Sequence, residues 1–321
     1  MRDVIEVNAI TKYYDDLLAL DQISFGISPG EIFGLLGPNG AGKTTTIKIL
    51  TGLARPSSGG ASVNAVDVCQ HPKQAQQFMG IVPEESNLYP ELSGFDNLAF
   101  CGALYGMSKK ARCERARALL SQFNLAEAAD RKFLTYSKGM KRKLTLAAGL
   151  IHNPPVLFLD EPTTGIDLTS ARQIRQLILD LRKSGVTILL TTHYIEEAER
   201  LCDRIGFLVK GQLIKVERLS TLLQPMQNLH ILELSLSALE DGLIQKVQDH
   251  LPDFQVDLLP GVRLRLSAGQ PIPVSAVINF IEESGVEVRE ARRIKPSLEE
   301  VFIMVTGLGK REMMNTIEDQ S

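Results

Sequence analysis

The stretch Gly37-Pro38-Asn39-Gly40-Ala41-Gly42-Lys43-Thr44-Thr45 constrains this chain more than any other. It follows the apolar run Ile32-Phe33-Gly34-Leu35-Leu36 and leads into Thr46-Ile47-Lys48-Ile49-Leu50, which reads as a helix. A buried strand, a glycine-rich turn and a helix start form the setting in which the pattern G-x-x-x-x-G-K-[ST] holds phosphate. Gly37, Gly40 and Gly42 let backbone N–H groups curl around an anion where a Cβ would block the approach. The positive end of the helix dipole adds to that field. Lys43 is placed to reach β- and γ-phosphates, and Thr44 to set its hydroxyl on Mg²⁺.

Apolar strands alternate with helices around that loop. Val4–Ile10, Ala19–Ile27 and Glu31–Leu36 read as strands, the last two joined by the turn Ser28-Pro29-Gly30. Tyr13 and Tyr14 fall between the first two, in what reads as a polar loop. A short strand at Ala61–Val63, a helix from Pro72 and a buried strand Gly80–Pro83, ending at Glu84, come next. Pro155–Leu159 and Val186–Leu190 are continuously apolar, as strands covered on both faces are. The helix Asp167–Lys183 separates them, and a helix at Tyr194–Cys202 precedes strands at Ile205–Val209 and Gln212–Val216.

Between about 85 and 154 the apolar spacing is three and four, which predicts helices and a separate helical lobe. Beyond Thr221 the pattern changes: Gln224–Asn228 reads as a linker, followed by mixed strands and helices. The expected architecture is α/β, with a parallel-sheet core, an antiparallel β subdomain, the helical lobe and a small C-terminal α+β domain. Its boundaries are predicted at 1–223 and 224–309, with a disordered tail at 310–321. A length of 321 residues suits one large and one small domain.

Composition narrows the function. A net charge of −3 supplies no basic field for nucleic acid, so no nucleic-acid partner is expected. Cys69, Cys101, Cys113 and Cys202 are scattered without C-x-x-C spacing, so neither a zinc site nor a disulfide frame is expected. The acids of Met1-Arg2-Asp3-Val4-Ile5-Glu6 do not suit a signal peptide. No apolar run approaches the roughly 18–20 residues of a membrane span. Any service to a membrane is therefore expected through partner subunits, from the cytoplasm.

Asp160 and Glu161 close the apolar strand Val156–Leu159. A carboxylate at such a strand end, beside a phosphate loop, suits Mg²⁺ held through water, and Glu161 is then placed to polarise an attacking water.

With these residues in place, the chain over about 4–220 resembles the nucleotide-binding subunits of ABC transporters. Gly37–Thr45 corresponds to the Walker A loop, Val156–Asp160 to Walker B and Glu161 to the catalytic glutamate. Tyr136-Ser137-Lys138-Gly139-Met140 is similar to the family's Leu-Ser-Gly-Gly-Gln signature, keeping its serine and second glycine. Thr164–Asp167 looks like the D-loop, Thr192-His193 like the switch histidine, and Tyr14 stands where an aromatic stacks on adenine. The family's glutamine after the Ile-Val-Pro strand is here Glu84, and Lys138 and Met140 also depart from its pattern. Similar substitutions occur among drug, lipid and polysaccharide exporters, whose accessory C-terminal domain the segment Arg292–Phe302 also resembles.

The resemblance implies an ATPase that binds ATP with Mg²⁺. Thr44, Asp160 and Glu84 would attend the metal, and His193 the γ-phosphate. It also implies a head-to-tail dimer, each signature closing on the ATP held by the partner's loop, with integral membrane permease subunits as further partners. From the residues themselves, Ser137 and the N–H groups near Gly139 form a helix start with the basic run Lys138, Lys141, Arg142 and Lys143, suited to an anion. Leu88, Tyr89 and Leu92, expected to be exposed, are the candidate permease contacts. A non-transport relative working on ribosomes or DNA is the alternative. It fits less well with a single cassette, this charge and no sustained heptad run.

Overall fold

Alternation of buried and exposed residues shapes β1 (Ile5–Tyr14) and β2 (Leu17–Ile27), which pair antiparallel about a turn at Asp15 and Asp16. The computed structural model describes residues 3–224, 229–240, 242–294 and 297–308. β3 (Ile32–Leu36) is buried throughout and leads to α1 (Lys43–Leu50). Next come β4 (Ser58–Val63), β5 (Val66–Asp67), α2 (Pro72–Gln76) and β6 (Met79–Val82). The helical stretch holds α3 (Gly94–Leu104), α4 (Lys109–Gln122) and α5 (Lys138–Gly149). Then β7 (Val156–Asp160), α6 (Leu168–Lys183), β8 (Thr187–Thr192) and α7 (Ile195–Leu201) alternate. They are followed by β9 (Arg204–Val209), β10 (Gln212–Arg218) and α8 (Leu219–Leu223).

A six-stranded sheet in the order β10-β9-β3-β8-β7-β6 is parallel from β9 to β6, with β10 antiparallel at its edge. A four-stranded antiparallel sheet, β2-β1-β4-β5, lies against it through one apolar core. Phe25 of one sheet and Phe33 of the other stack there, ring centroids 5.0 Å apart. Strands covered on both faces have no polar side to present, which is why β3, Val156–Leu159 of β7 and Ile188–Leu190 of β8 are apolar without alternation.

One expectation is corrected. Tyr13 and Tyr14 belong to β1, not to a loop: they pair with Leu18 and Leu17 of β2, so the hairpin turn comes only after them. The helical stretch shares one compact unit with the sheets, and its α5 packs on β6. Gly80 and Gly149 meet there, and a Cβ on Gly80 would lie 2.1 Å from the Gly149 carbonyl oxygen.

The chain falls into two units, Met1–Leu219 with Val305–Ser321, and Ser220–Met304. The second contains β11 (His230–Leu236), α9 (Leu243–His250), β12 (Gln255–Leu259), β13 (Arg263–Ala268), α10 (Val274–Glu283) and β14 (Val288–Ile294), and α11 (Leu298–Thr306) begins in it. Its strands form an antiparallel sheet, β12-β13-β11-β14. Leu232 and Leu234 face Leu266 and Leu264 across strands, and Val247, Val277 and Ile281 from the helices join the same core. Of the expected linker only Gln224 is among the described residues, and the tail at 310–321 lies outside them. Among the described residues no helix is long and apolar enough to cross a membrane.

Candidate functional site

The phosphate loop leaves the C-terminal end of β3, between β9 and β8, and enters α1 at Gly42. Gly42 has φ of 103°, a conformation that a Cβ disfavours and that lets so tight a corner form. Lys43 follows at once and is buried. Its Nζ donates to the carbonyls of Gly37 at 2.8 Å and Pro38 at 3.0 Å, and lies 3.4 Å from Glu161 Oε1. Burial pulls this ammonium below its ordinary range, while Glu161, then Asp160 and Glu84, hold it up.

Around it stand three carboxylates. Asp160, the last residue of β7, accepts from Thr44 Oγ1 at 3.3 Å and from Thr191 Oγ1 of the neighbouring strand. Glu161 has left the strand with φ of 46°, and its N–H donates to the Thr191 carbonyl at 3.2 Å. Its Oε2 accepts from Thr164 Oγ1 at 3.2 Å and lies 3.0 Å from His193 Nδ1. That histidine contact has the reach of an ion pair but not the alignment of a hydrogen bond. Burial alone would push the Glu161 carboxyl up, but His193 and Lys43 outweigh it and hold it below the usual range. Glu84 goes the other way, raised by burial and then by the charges of Glu161 and Asp160.

Of these, Lys43, Glu84, Glu161 and His193 line a cleft of 640 Å³ that also takes in Tyr14, Asn39, Gly40, Gly42, Thr44 and Thr45. Tyr14 faces it and Tyr13 does not, because neighbouring strand residues point to opposite sides. The Lys12 ammonium sits 4.7 Å from the Tyr14 ring centre. Ala41 lies buried beneath the loop, its carbonyl accepting from Gly211 N. Hydroxyl and carboxylate oxygens from Thr44 and Asp160 are the hard donors that Mg²⁺ takes, together with water and phosphate. Among the described residues there is no cluster of three or more His, Cys, Asp or Glu fit to hold a metal by itself. A phosphate-bound magnesium needs none.

The signature residues Ser137, Lys138, Gly139 and Met140 do not line this cleft. Ser137 is the N-cap of α5, its Oγ accepting from Met140 N at 3.2 Å. Asp167 caps α6 in the same way on Ser170 N at 2.9 Å, and those bonds hold its carboxyl below the usual range. The two helix starts abut, since a Cβ on Gly139 would lie 2.1 Å from Ser170 Oγ. Of the candidate permease contacts Tyr89 is exposed, Leu92 is half-buried, and Leu88 is buried, contrary to expectation. The chain turns inward at Leu88 as Tyr89 N donates to the buried Asn97 side chain. Tyr89 instead meets Phe100 edge to face, centroids 5.2 Å apart.

Arg142 is the residue whose place the sequence misleads about. Its basic run suggests a surface for anions, yet its side chain is buried. The guanidinium donates to the carbonyls of Pro162 at 2.9 Å, Glu84 at 3.0 Å, Asp160 at 2.6 Å and Glu161 at 3.1 Å, and also to that of Pro83. The helix that starts with the signature thus fastens the segments carrying Glu84 and Glu161. Only its position one turn into an amphipathic helix could have suggested burial. Leu17, Leu18 and Ala19 beyond the β1–β2 turn, with Tyr194, also line the cleft and were likewise missed, and Thr164, matched to the D-loop, completes it.

Set against known proteins, residues 20–164 match the ABC transporter family. The linearmycin resistance ATP-binding protein of Bacillus subtilis is 35% identical over 317 residues, covering 96% of this chain and all of that one. The doxorubicin resistance ATP-binding protein of Mycobacterium tuberculosis is 36% identical over 309 residues, covering 94% of this chain and 93% of its own. Among solved structures, an ATP-binding subunit of an ABC transporter superposes with a TM-score of 0.63 at 30% identity, over 69% of this chain and 92% of the other. A dimeric ATP-binding cassette solved with ADP and Pi gives 0.61 at 28% identity, over 67% and 98%.

Proposed function

This chain belongs to the ABC transporter family as an ATP-binding, ATP-hydrolysing subunit of the exporter kind, and from that premise we propose which step each of its residues carries. Tyr14 stacks on adenine, and the loop Gly37–Thr45 wraps the phosphates. Lys43 leaves the carbonyls of Gly37 and Pro38 to take β- and γ-phosphate oxygens. Thr44, Asp160 and Glu84 would hold Mg²⁺, which would neutralise part of the phosphate charge. His193 steadies the γ-phosphate.

Glu161 orients the water that attacks phosphorus. The observation that carries this reading is its contact with both Lys43 and His193 at the buried end of the cleft. A carboxylate held below its usual range is a weak proton acceptor. As Lys43 turns to the phosphates it withdraws one of the groups that hold Glu161 down, so nucleotide binding makes Glu161 a better base. The attacking water then gives its proton to Glu161 while the bond between the β-γ bridging oxygen and phosphorus breaks, leaving ADP and phosphate.

The signature residues Ser137–Met140 and Asp167 serve the ATP of a partner subunit, and the pair closes on two nucleotides and reopens after hydrolysis. The dimer works at the cytoplasmic face of the membrane with integral permease subunits, received near Tyr89 and Leu92. Cap bonds and neighbours place the signature away from this chain's own cleft, which supports the head-to-tail reading. The accessory domain at 224–309 steadies the assembly.

The test is Glu161→Gln. It should bind ATP as before, hydrolyse it at least ~10²-fold more slowly, and elute as a dimer from a sizing column only with Mg-ATP. An active, monomeric variant would overturn the assignment.

A further inference from the structure

Glu197 lies on α7, four residues past His193, and is 3% exposed. Its Oε1 accepts from Thr163 Oγ1, and its Oε2 is buried with no hydrogen-bond partner among the described residues. Thr163 in turn stands two residues past Glu161. One side-chain bond therefore closes a ring of chain in which Glu161 and His193 sit on facing arms, 3.0 Å apart. Nothing else in the reaction described above uses this carboxyl. A pure packing role would be filled at lower free-energy cost by an apolar residue, since a buried polar group loses its water.

We propose that Glu197 is a positioning residue for ATP hydrolysis, fastening Thr163 so that the turn bearing Glu161 keeps its register with the strand end bearing His193. The inference rests on the reading of Glu161 as the residue that orients the attacking water. The same turn is held from two other sides, by Arg142 Nε on the Pro162 carbonyl and by the Thr191 carbonyl on Glu161 N. Glu197 supplies the only one of these ties that comes from the segment following the histidine. Charged and titratable groups face it from several elements: Glu161 from the turn, Arg142 from α5, Arg175 from α6, and Tyr194 and Cys202 at the two ends of α7. Burial first, and then the nearby Glu161 carboxylate, push the Glu197 carboxyl above its usual range, against the Thr163 and Thr192 hydroxyls and Arg175. A carboxyl group and a glutamine amide have nearly the same shape, and both offer an acceptor oxygen to Thr163. Glutamine should therefore replace it and alanine should not.

The experiment measures kcat, KM for ATP and ATP affinity on the full chain for Glu197→Ala, Glu197→Gln, Thr163→Val and Thr163→Val/Glu197→Ala. A small misplacement of a reacting group costs on the order of 10²-fold, so Glu197→Ala and Thr163→Val should each lose roughly 10- to 100-fold in kcat. ATP affinity should stay within about threefold, because ground-state binding is not altered. Glu197→Gln should recover kcat to within about threefold of the wild type, and the double variant should be no slower than the slower single one by more than about twofold. Unaltered kcat in a folded Glu197→Ala or in Thr163→Val would overturn the proposal. So would a Glu197→Gln as slow as the alanine variant, or losses that multiply in the double variant. If Glu197→Ala does not fold, Thr163→Val and Glu197→Gln decide alone. Glu161→Gln runs beside them: wild-type turnover there would defeat the reading of Glu161 and this inference together, whereas failure of the Glu197 series alone leaves Glu161 standing.

Discussion

The floor of the nucleotide cleft and the core of the C-terminal unit both hold buried side chains, but of opposite chemistry. Around the cleft Lys43, Arg142, Asp160, Glu161 and Glu197 are all buried, each held by carbonyls, hydroxyls or another charge. In the C-terminal unit the buried cluster is apolar throughout, from Leu232 to Val286, and charges stay nearer its surface. Its best-sheltered ion pair, Arg265 with Glu300, lies outside that cluster. Buried charge rarely adds net stability, because desolvation offsets most of what pairing returns. Its concentration in one unit therefore marks where position matters more than stability, and its absence among the described residues of the other marks a module built to fold and pack.

Arg142→Ala should sharpen this contrast most. It strands carbonyls on two segments of the site at once and should destabilise the first unit by about 3–5 kcal/mol. Denaturant unfolding followed in the presence and absence of ATP would show it, and an unchanged midpoint would mean that water replaces the guanidinium without loss.

Leu234→Ala acts on the other side of the comparison. The residue is fully buried between the strands and helices of the C-terminal unit, and truncation should cost about 2–5 kcal/mol. ATP hydrolysis should survive, as it should in a chain ended after Leu223, since every residue of the cleft precedes Ile195. Loss of ATP binding in either well-folded protein would mean that the second unit contributes to the site.

Tyr14→Ala should weaken ATP binding by about 1–3 kcal/mol, on the scale of base–aromatic stacking, with saturating turnover nearly unchanged. Tyr13→Ala should leave affinity alone because its ring faces away from the cleft. Equilibrium binding of a fluorescent ATP analogue separates the two; the reverse ranking would exchange their roles.

The smallest effect belongs to Glu84→Gln. Exchanging a carboxylate for an amide weakens a ligand for a hard cation, so half-maximal activity should need roughly two- to fivefold more Mg²⁺. Magnesium titrations of wild type, Glu84→Gln and Glu84→Ala check this, and three superimposable curves would remove Glu84 from the metal.

Much of the cleft was legible from local sequence alone. The phosphate loop carries its own geometry in its glycines, and the runs Ile32–Leu36, Val156–Leu159 and Ile188–Leu190 announce their burial by their unbroken apolar character. Asp160, Glu161 and His193 then follow as the residues at the ends of those strands. In the second unit the mixture of strands and helices expected beyond Thr221 is what forms, because strand and helix periodicity are local properties.

What the tertiary structure alone decided are the relations between distant segments. The pairing of β1 with β2 extends through Tyr14 and turns a loop residue into a wall of the cleft. Packing of α5 on β6 brings Arg142 inward, where its planar fork finds carbonyls from two strand ends lying about 20 and 60 residues away. The bond from Thr163 to Glu197 joins the arms bearing Glu161 and His193 across a gap no local pattern reports. Local propensity and periodicity are written in neighbouring residues, whereas the partner of a buried charge is set by which segments the sheet order brings together.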